Sequence, residues 1–126
     1  MLFDTSAWIE VFLGTEQGKT AVEVIKSGKN FTSIATFAEI ANWCLKNNSG
    51  DKIGFCIDTV KKGSQVLGLN EEISTIAGRL NYERKKAGKK WGMIDSMIVT
   101  TAQAYGLKIL TKDAAFKDLP DVEILS

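Results

Sequence analysis

The 126-residue sequence contains no histidine, and that absence removes whole classes of chemistry. Without imidazole there is no Ser-His-Asp or Cys-His relay, no His-ligated zinc and no side chain that titrates near neutral pH unperturbed. Any catalysis falls to carboxylates, lysine, hydroxyls, thiols or a bound metal ion. Only two cysteines are present, Cys44 and Cys56, without Cys-x-x-Cys spacing, so they read as buried thiols. The opening MLFDTSAWIEVFLG lacks a basic segment and carries Asp4 and Glu10 inside its apolar stretch. It is neither a secretory signal nor a membrane span, and the chain is expected to be cytoplasmic with no membrane contact. Charge of one sign is also missing: 16 Lys and Arg against 15 Asp and Glu leave +1, so only local charge can indicate a partner.

What is there suffices for a core. At 44% hydrophobic, residues 1–126 are expected to fold as one domain. Leu2-Phe3 predicts a short buried strand running into a helix from Ser6 to Leu13, closed by Gly14. A second helix spans 15–28, and a strand 30–32 leads to a helix over 34–47. That helix places Ile34, Phe37, Ala38, Ala41, Cys44 and Leu45 on one apolar face. A helix over 51–62, a strand over 65–69 and a long helix from Asn70 to Lys86 follow. Met93 to Tyr105 carries the clearest helical period and stops at Gly106; strands at 107–111 and 122–125 flank a short turn from Asp113. This alternation predicts a three-layer α/β/α sandwich around a mostly parallel sheet of about five strands. Ligands in such folds bind beyond the carboxyl ends of the strands. Asp4 and Asp113 each stand directly after one.

Each candidate acid also has an ordinary explanation. Asp4 and Asp113 are good helix N-caps. Asp95 lies in the first turn of its helix, where the dipole favours a negative charge by roughly 0.3 to 1 kcal/mol. Glu39 lies about 140° from Ile34 on the helical wheel, beside Asn42 and Lys46, where periodicity makes it a solvated residue. In residues 79–91, RLNYERKKAGKKW, six basic side chains surround Tyr82 and Trp91. The run reads either as a nucleic-acid contact through Arg84, Lys85, Lys86, Lys89, Lys90 and Trp91, or as a solvated helix end. Trp8, Phe12 and Trp43 belong either to the core or to an interface.

The segments FDTSAWIE, SIATFAE and GMIDSMIVTTAQAYGLKILTKDAAF, in that order and spacing, resemble the motifs of PIN-domain nucleases, and the small size resembles the VapC toxins of toxin-antitoxin pairs. The resemblance covers essentially the whole chain. It implies Asp4, Glu39, Asp95 and Asp113 as catalytic residues and as ligands of Mg²⁺ or Mn²⁺, with Thr5, Ser6 and Thr111 as their supporting shell. It also implies an endoribonuclease that uses a metal-activated water and leaves 5′-phosphate and 3′-hydroxyl ends, an RNA substrate, a homodimer and a cognate antitoxin. One position departs from the pattern: many relatives carry a further acid just before the last Phe, where this chain has Ala115. Four carboxylates about 5 Å apart would repel by roughly 3 kcal/mol per pair at an effective dielectric near 20, and hard oxygen donors select Mg²⁺ or Mn²⁺ over zinc or copper. The alternatives are a housekeeping RNA-processing nuclease, a PIN-like domain that binds RNA or protein without cutting, and a receiver-like Mg²⁺-binding domain. The receiver reading lacks its acids, since one Asp follows the first strand and Leu67-Gly68-Leu69 fills the third.

Overall fold

Leu2 and Phe3 are adjacent in a strand and both fully buried. Neighbouring strand residues point to opposite faces, so this dipeptide requires a core on each side of its sheet. A computed structural model, describing residues 1–126, contains both. The chain runs β1 (Leu2–Phe3), α1 (Thr5–Leu13), α2 (Glu16–Lys26), β2 (Phe31–Ser33), α3 (Ala35–Lys46), α4 (Ile53–Gly63), β3 (Gln65–Leu67), α5 (Glu71–Lys86), α6 (Met93–Tyr105), β4 (Ile109–Thr111) and β5 (Val122–Ile124). Single 3₁₀ turns lie at Gly50–Lys52 and Ala114–Phe116.

All five strands are parallel, in the order β3-β2-β1-β4-β5. Leu2 lies between Phe31 and Ile109, so the first strand is the middle one. Phe3 and Leu110 face one core with Trp8, Ala21, Ile40, Cys44 and Val60, drawn from α1 to α4. Leu2 and Ile109 face the other with Ile98, Val99 and Ala102 of α6. The split follows from handedness. From β1 to β3 the chain steps outward in one direction, and its return across the sheet to β4 reverses that direction. Right-handed crossovers then put α5 and α6 on the opposite face. The expected three-layer α/β/α sandwich is the observed fold, and its strand order differs from the 2-1-3-4-5 order of receiver-type sheets.

Local chemistry explains most of the boundaries. Thr15 caps α2 by accepting from the Gly18 N–H, and Asn70 caps α5 by accepting from Ile73. Gly14 and Gly106 end α1 and α6 at φ 67° and 65°, the left-handed region that glycine enters without a Cβ penalty. Cys44 and Cys56 are buried with their sulfurs 4.0 Å apart, both as free thiols. Burial pushes the Cys56 thiol up to about 11.

One expected face is wrong. Ile34, Ala38 and Leu45 of the α3 region are exposed, and the buried stripe is Ala35, Thr36, Ile40 and Cys44. The hydrophobic count scores Thr36 as polar, but its hydroxyl meets that of Thr5 at 3.1 Å and can therefore be buried. Rotating the helix towards Thr36 carries Glu39, its i+3 neighbour, to the border of the core. Trp8 is a core residue, fully buried with Nε1 donating to Thr32 Oγ1 at 3.0 Å, whereas Phe12 and Trp43 are half-buried.

Gly18 marks the closest approach of α1 and α2, because a Cβ there would overlap the carbonyl oxygen of Glu10, while Gly78 in α5 has open space around it. Gly18→Ala is expected to cost about 1–3 kcal/mol through overpacking, and Gly78→Ala to gain about 0.5–1 kcal/mol from helix propensity. Thermal melting of the two variants against wild type checks both signs.

Candidate active site

Because the strand order reverses beside β1, the carboxyl ends of β1 and β4 open the crevice where such sheets bind ligands. Asp4 ends β1, and the Thr111–Asp113 segment ends β4. The N-termini of α1 and α6 bring Thr5, Ser6 and Asp95 to the same place, and α3 delivers Glu39 from the side. Both helices open on this side of the sheet, and a helix N-terminus favours negative charge near it.

Asp4 occupies the N-cap position of α1, yet its carboxylate makes no capping bond. It turns instead across the sheet. Ser6 Oγ and Thr111 Oγ1 each donate to Asp4 Oδ2 at 2.7 Å. The two hydroxyls lie 3.0 Å apart, and each accepts a backbone N–H: Lys112 donates to Ser6 at 2.9 Å and Asp113 to Thr111 at 3.0 Å. Capping alone therefore does not account for Asp4. Glu39 is held similarly, with Thr5 Oγ1 donating to its Oε1 at 2.6 Å. Asp95 accepts the Gly92 N–H at 2.9 Å, and Asp113 accepts the Ala115 N–H at 2.9 Å. For these two the capping explanation is also satisfied, with one oxygen each.

Electrostatics show that the four acids share one environment. Burial raises the Asp4 carboxyl, partly offset by the hydrogen bonds from Ser6 and Thr111. Burial also raises Glu39, and the charges that push it further are those of Asp4, Asp95 and Asp113. Asp95 is pushed up to about 6, first by burial and then by Asp4 and Asp113, against the lowering effects of the Gly92 N–H and Arg84. Residues 4, 39, 95 and 113 thus lie within electrostatic range of one another.

The arrangement is a loose cluster. No three of its carboxylates converge tightly enough to coordinate one ion as they stand, which is how like charges separate unless a cation draws them together. The donor set nevertheless fits a hard divalent cation: all candidate donors are carboxylate oxygens, and neither thiol nor imidazole lies among them. A cleft of about 410 Å³ adjoins the acids, lined by Lys90, Trp91, Gly92, Asp95, Asp113 and Ala115.

The basic run divides in two. Lys85, Lys86, Lys89 and Lys90 are exposed, with Lys90 on the cleft, and Tyr82 is exposed close to Lys86. Arg84 and Trp91, expected to touch nucleic acid, are instead buried. Arg84 pairs with Asp118 at 2.8 Å and stacks over Trp91, whose Nε1 donates to Ser96 Oγ at 2.6 Å. A guanidinium with a carboxylate and an aromatic face available inside the fold takes them in preference to solvent. Sequence reading missed Thr36, whose signal was its place one turn before Glu39. It also missed the pair between Lys112 Nζ and Glu10 Oε1 at 3.1 Å, which ties the loop after β4 to α1 and has no sequence signal because the partners are so far apart in the chain.

The model of the PIN domain family matches residues 1–122. Ribonuclease VapC4 of Mycobacterium tuberculosis is 27% identical over 127 residues, covering 99% of this chain and 95% of that protein. Among solved structures, a toxin-antitoxin complex from Klebsiella pneumoniae superposes with a TM-score of 0.75 at 23% identity, covering 99% of this chain and 97% of that one. VapC20 of Mycobacterium tuberculosis, a sarcin-ricin-loop-cleaving toxin, superposes with a TM-score of 0.79 at 14% identity, covering 99% and 98%. A sheet whose reversal gathers scattered acids, and a family match over nearly its full length, agree: this chain belongs to the PIN domain family.

Proposed function

We propose that the chain is a single-domain Mg²⁺- or Mn²⁺-dependent endoribonuclease, a VapC-like toxin that cuts RNA in the cytoplasm. The observation that carries this reading is the gathering of Asp4, Glu39, Asp95 and Asp113 around one crevice, where burial first and the neighbouring acids second raise Glu39 and Asp95. Acids crowded at such cost call for a cation. Asp4, Asp95 and Asp113, with Glu39 beside them, would hold it. When bound, a divalent ion would supply charge neutralisation at a phosphodiester and acidify a water, chemistry that needs no histidine.

The chain's own groups do the rest. Ser6 and Thr111 fix the Asp4 carboxylate, and Thr5 fixes that of Glu39, so ligand orientations are set before substrate arrives. Lys90 on the cleft, with Lys85, Lys86 and Lys89 on the adjoining surface, attracts RNA phosphates and makes binding fall with salt. The similarity to Ribonuclease VapC4 supports the RNA substrate, and the toxin-antitoxin neighbours support a cognate antitoxin. The exposed Leu13, Leu45 and Phe55 offer apolar surface for that antitoxin or for a second copy in a homodimer.

Incubation of total RNA with Mg²⁺, Mn²⁺ or chelator, with the new ends mapped, tests the activity: cleavage with either ion and none with chelator is expected. Asp95→Asn is expected to lower the rate at least about 10²-fold, on the scale of losing a group that stabilises developing charge, with the fold retained. Thr111→Val is expected to lose about 10–100-fold through a misoriented Asp4. Full Mg²⁺-supported activity in Asp95→Asn would refute the mechanism.

The raised Asp95 also makes a stability prediction. In the unfolded chain this carboxyl returns to its ordinary value near 3.8, against about 6 in the fold. Between those pH values the folded state binds more protons, so the contribution of Asp95 to stability is complete below 3.8 and is lost as pH rises to about 6. In chelator, the melting temperature of wild type relative to Asp95→Asn should therefore fall across that interval and level off above it. A difference independent of pH would show that Asp95 is not perturbed.

A further inference from the structure

Arg84 differs from its basic neighbours. It lies on the last turn of α5 beside Lys85 and Lys86, but only 8% of it is exposed. Nη1 and Nη2 grip Asp118 in a fork at 2.8 and 3.1 Å, Nη2 also donates to the Ala115 carbonyl at 2.6 Å, and the guanidinium lies 4.1 Å from the Trp91 ring centroid. Its buried Nε has no hydrogen-bond partner. A buried cation with one donor unsatisfied is costly to keep for packing alone, since an apolar side chain of similar volume often serves as well.

Two arms lead from this guanidinium to the two acids that line the cleft. Along one, Arg84 holds the Ala115 carbonyl, and the Ala115 N–H donates to Asp113 Oδ1 at 2.9 Å. Along the other, Arg84 covers Trp91, whose indole N–H holds Ser96 beside Asp95, and the next backbone N–H, that of Gly92, donates to Asp95 Oδ2 at 2.9 Å. The Trp91 and Phe116 rings, 4.8 Å apart, close the arch between the arms. Arg84 touches neither carboxylate, yet each is oriented by a backbone N–H belonging to, or adjacent to, a residue that Arg84 contacts directly. The segments so joined, 91–96 and 113–118, come from opposite ends of α6 and β4 and share no strand pairing with each other.

We propose that Arg84 is a positioning residue that sets Asp95 against Asp113 and so fixes the metal affinity of the cleft; this rests on the nuclease reading above. Lysine retains the charge but cannot fork two carboxylate oxygens, hold a carbonyl and stack on an indole at once. Mn²⁺ binding by calorimetry, the Mn²⁺ concentration for half-maximal RNA cleavage, and melting in chelator are to be measured for wild type, Arg84→Lys and Asp118→Asn. Asp58→Asn serves as a control, because it breaks only the exposed pair with Lys62 on α4.

Arg84→Lys should weaken Mn²⁺ binding and raise the activation midpoint about 10–100-fold, the range for groups that orient metal ligands. Asp118→Asn, whose carboxylate is half-exposed, should shift both in the same direction by less, and Asp58→Asn should shift neither. If Arg84→Lys fails to fold, Asp118→Asn decides. Variants that melt earlier but keep the wild-type Mn²⁺ affinity and midpoint would overturn the proposal while leaving the nuclease reading intact. A wild type that neither binds Mn²⁺ nor cuts RNA would overturn both.

Discussion

Four negative charges have to share one crevice. Like charges in a partly buried site repel strongly, because the medium between them screens poorly, and burial alone already raises Asp4, Glu39 and Asp95. Such a site persists only where the surrounding structure imposes it. Here the compensation is a lattice of short hydrogen bonds: Ser6 and Thr111 on Asp4, Thr5 on Glu39, and backbone N–H groups on Asp95 and Asp113. Two helix N-termini add their partial positive charge. Every one of these donors is fixed by secondary structure, so the cost of crowding is carried by the fold as a whole.

The topology makes the crowding feasible. With β1 in the middle of the sheet and the chain reversing direction between β3 and β4, the ends of β1 and β4 stand side by side although more than a hundred residues separate them. The same reversal sends α5 and α6 to the opposite face from α1 to α4, so acids arrive from both layers. Asp95 comes down the axis of α6 from one side, and Glu39 comes across on α3 from the other. Buried threonine hydroxyls join elements where apolar side chains could not: Thr5 of α1 to Thr36 and Glu39 of α3, Thr32 of β2 to Trp8 of α1, and Thr111 of β4 to Asp4 at the end of β1.

The basic run before α6 shows how one stretch of sequence serves two purposes. Its lysines remain in solvent, whereas Arg84 and Trp91 turn inward, the indole lining the cleft and the guanidinium stacked on it. The difference follows from the side chains. A lysine ammonium is strongly hydrated and keeps its charge in water, whereas a guanidinium stacks on an aromatic face and binds a carboxylate at two points.

Strand and helix order, the parallel sheet and the positions of Asp4, Asp95 and Asp113 were readable from the sequence, because each depends on near neighbours: a short apolar run, a capping residue, a glycine stop, an acid placed directly after a strand or in a helix's first turn. Glu39 was legible only through the resemblance of its motif, since periodicity placed it in solvent. The buried stripe of α3, the inward turn of Arg84 and Trp91, and the Glu10–Lys112 tether were decided by the tertiary structure alone. Whether a threonine hydroxyl can be buried, or a cation turned away from water, depends on a partner that folding brings from another element, and the residues flanking a position carry no record of that partner.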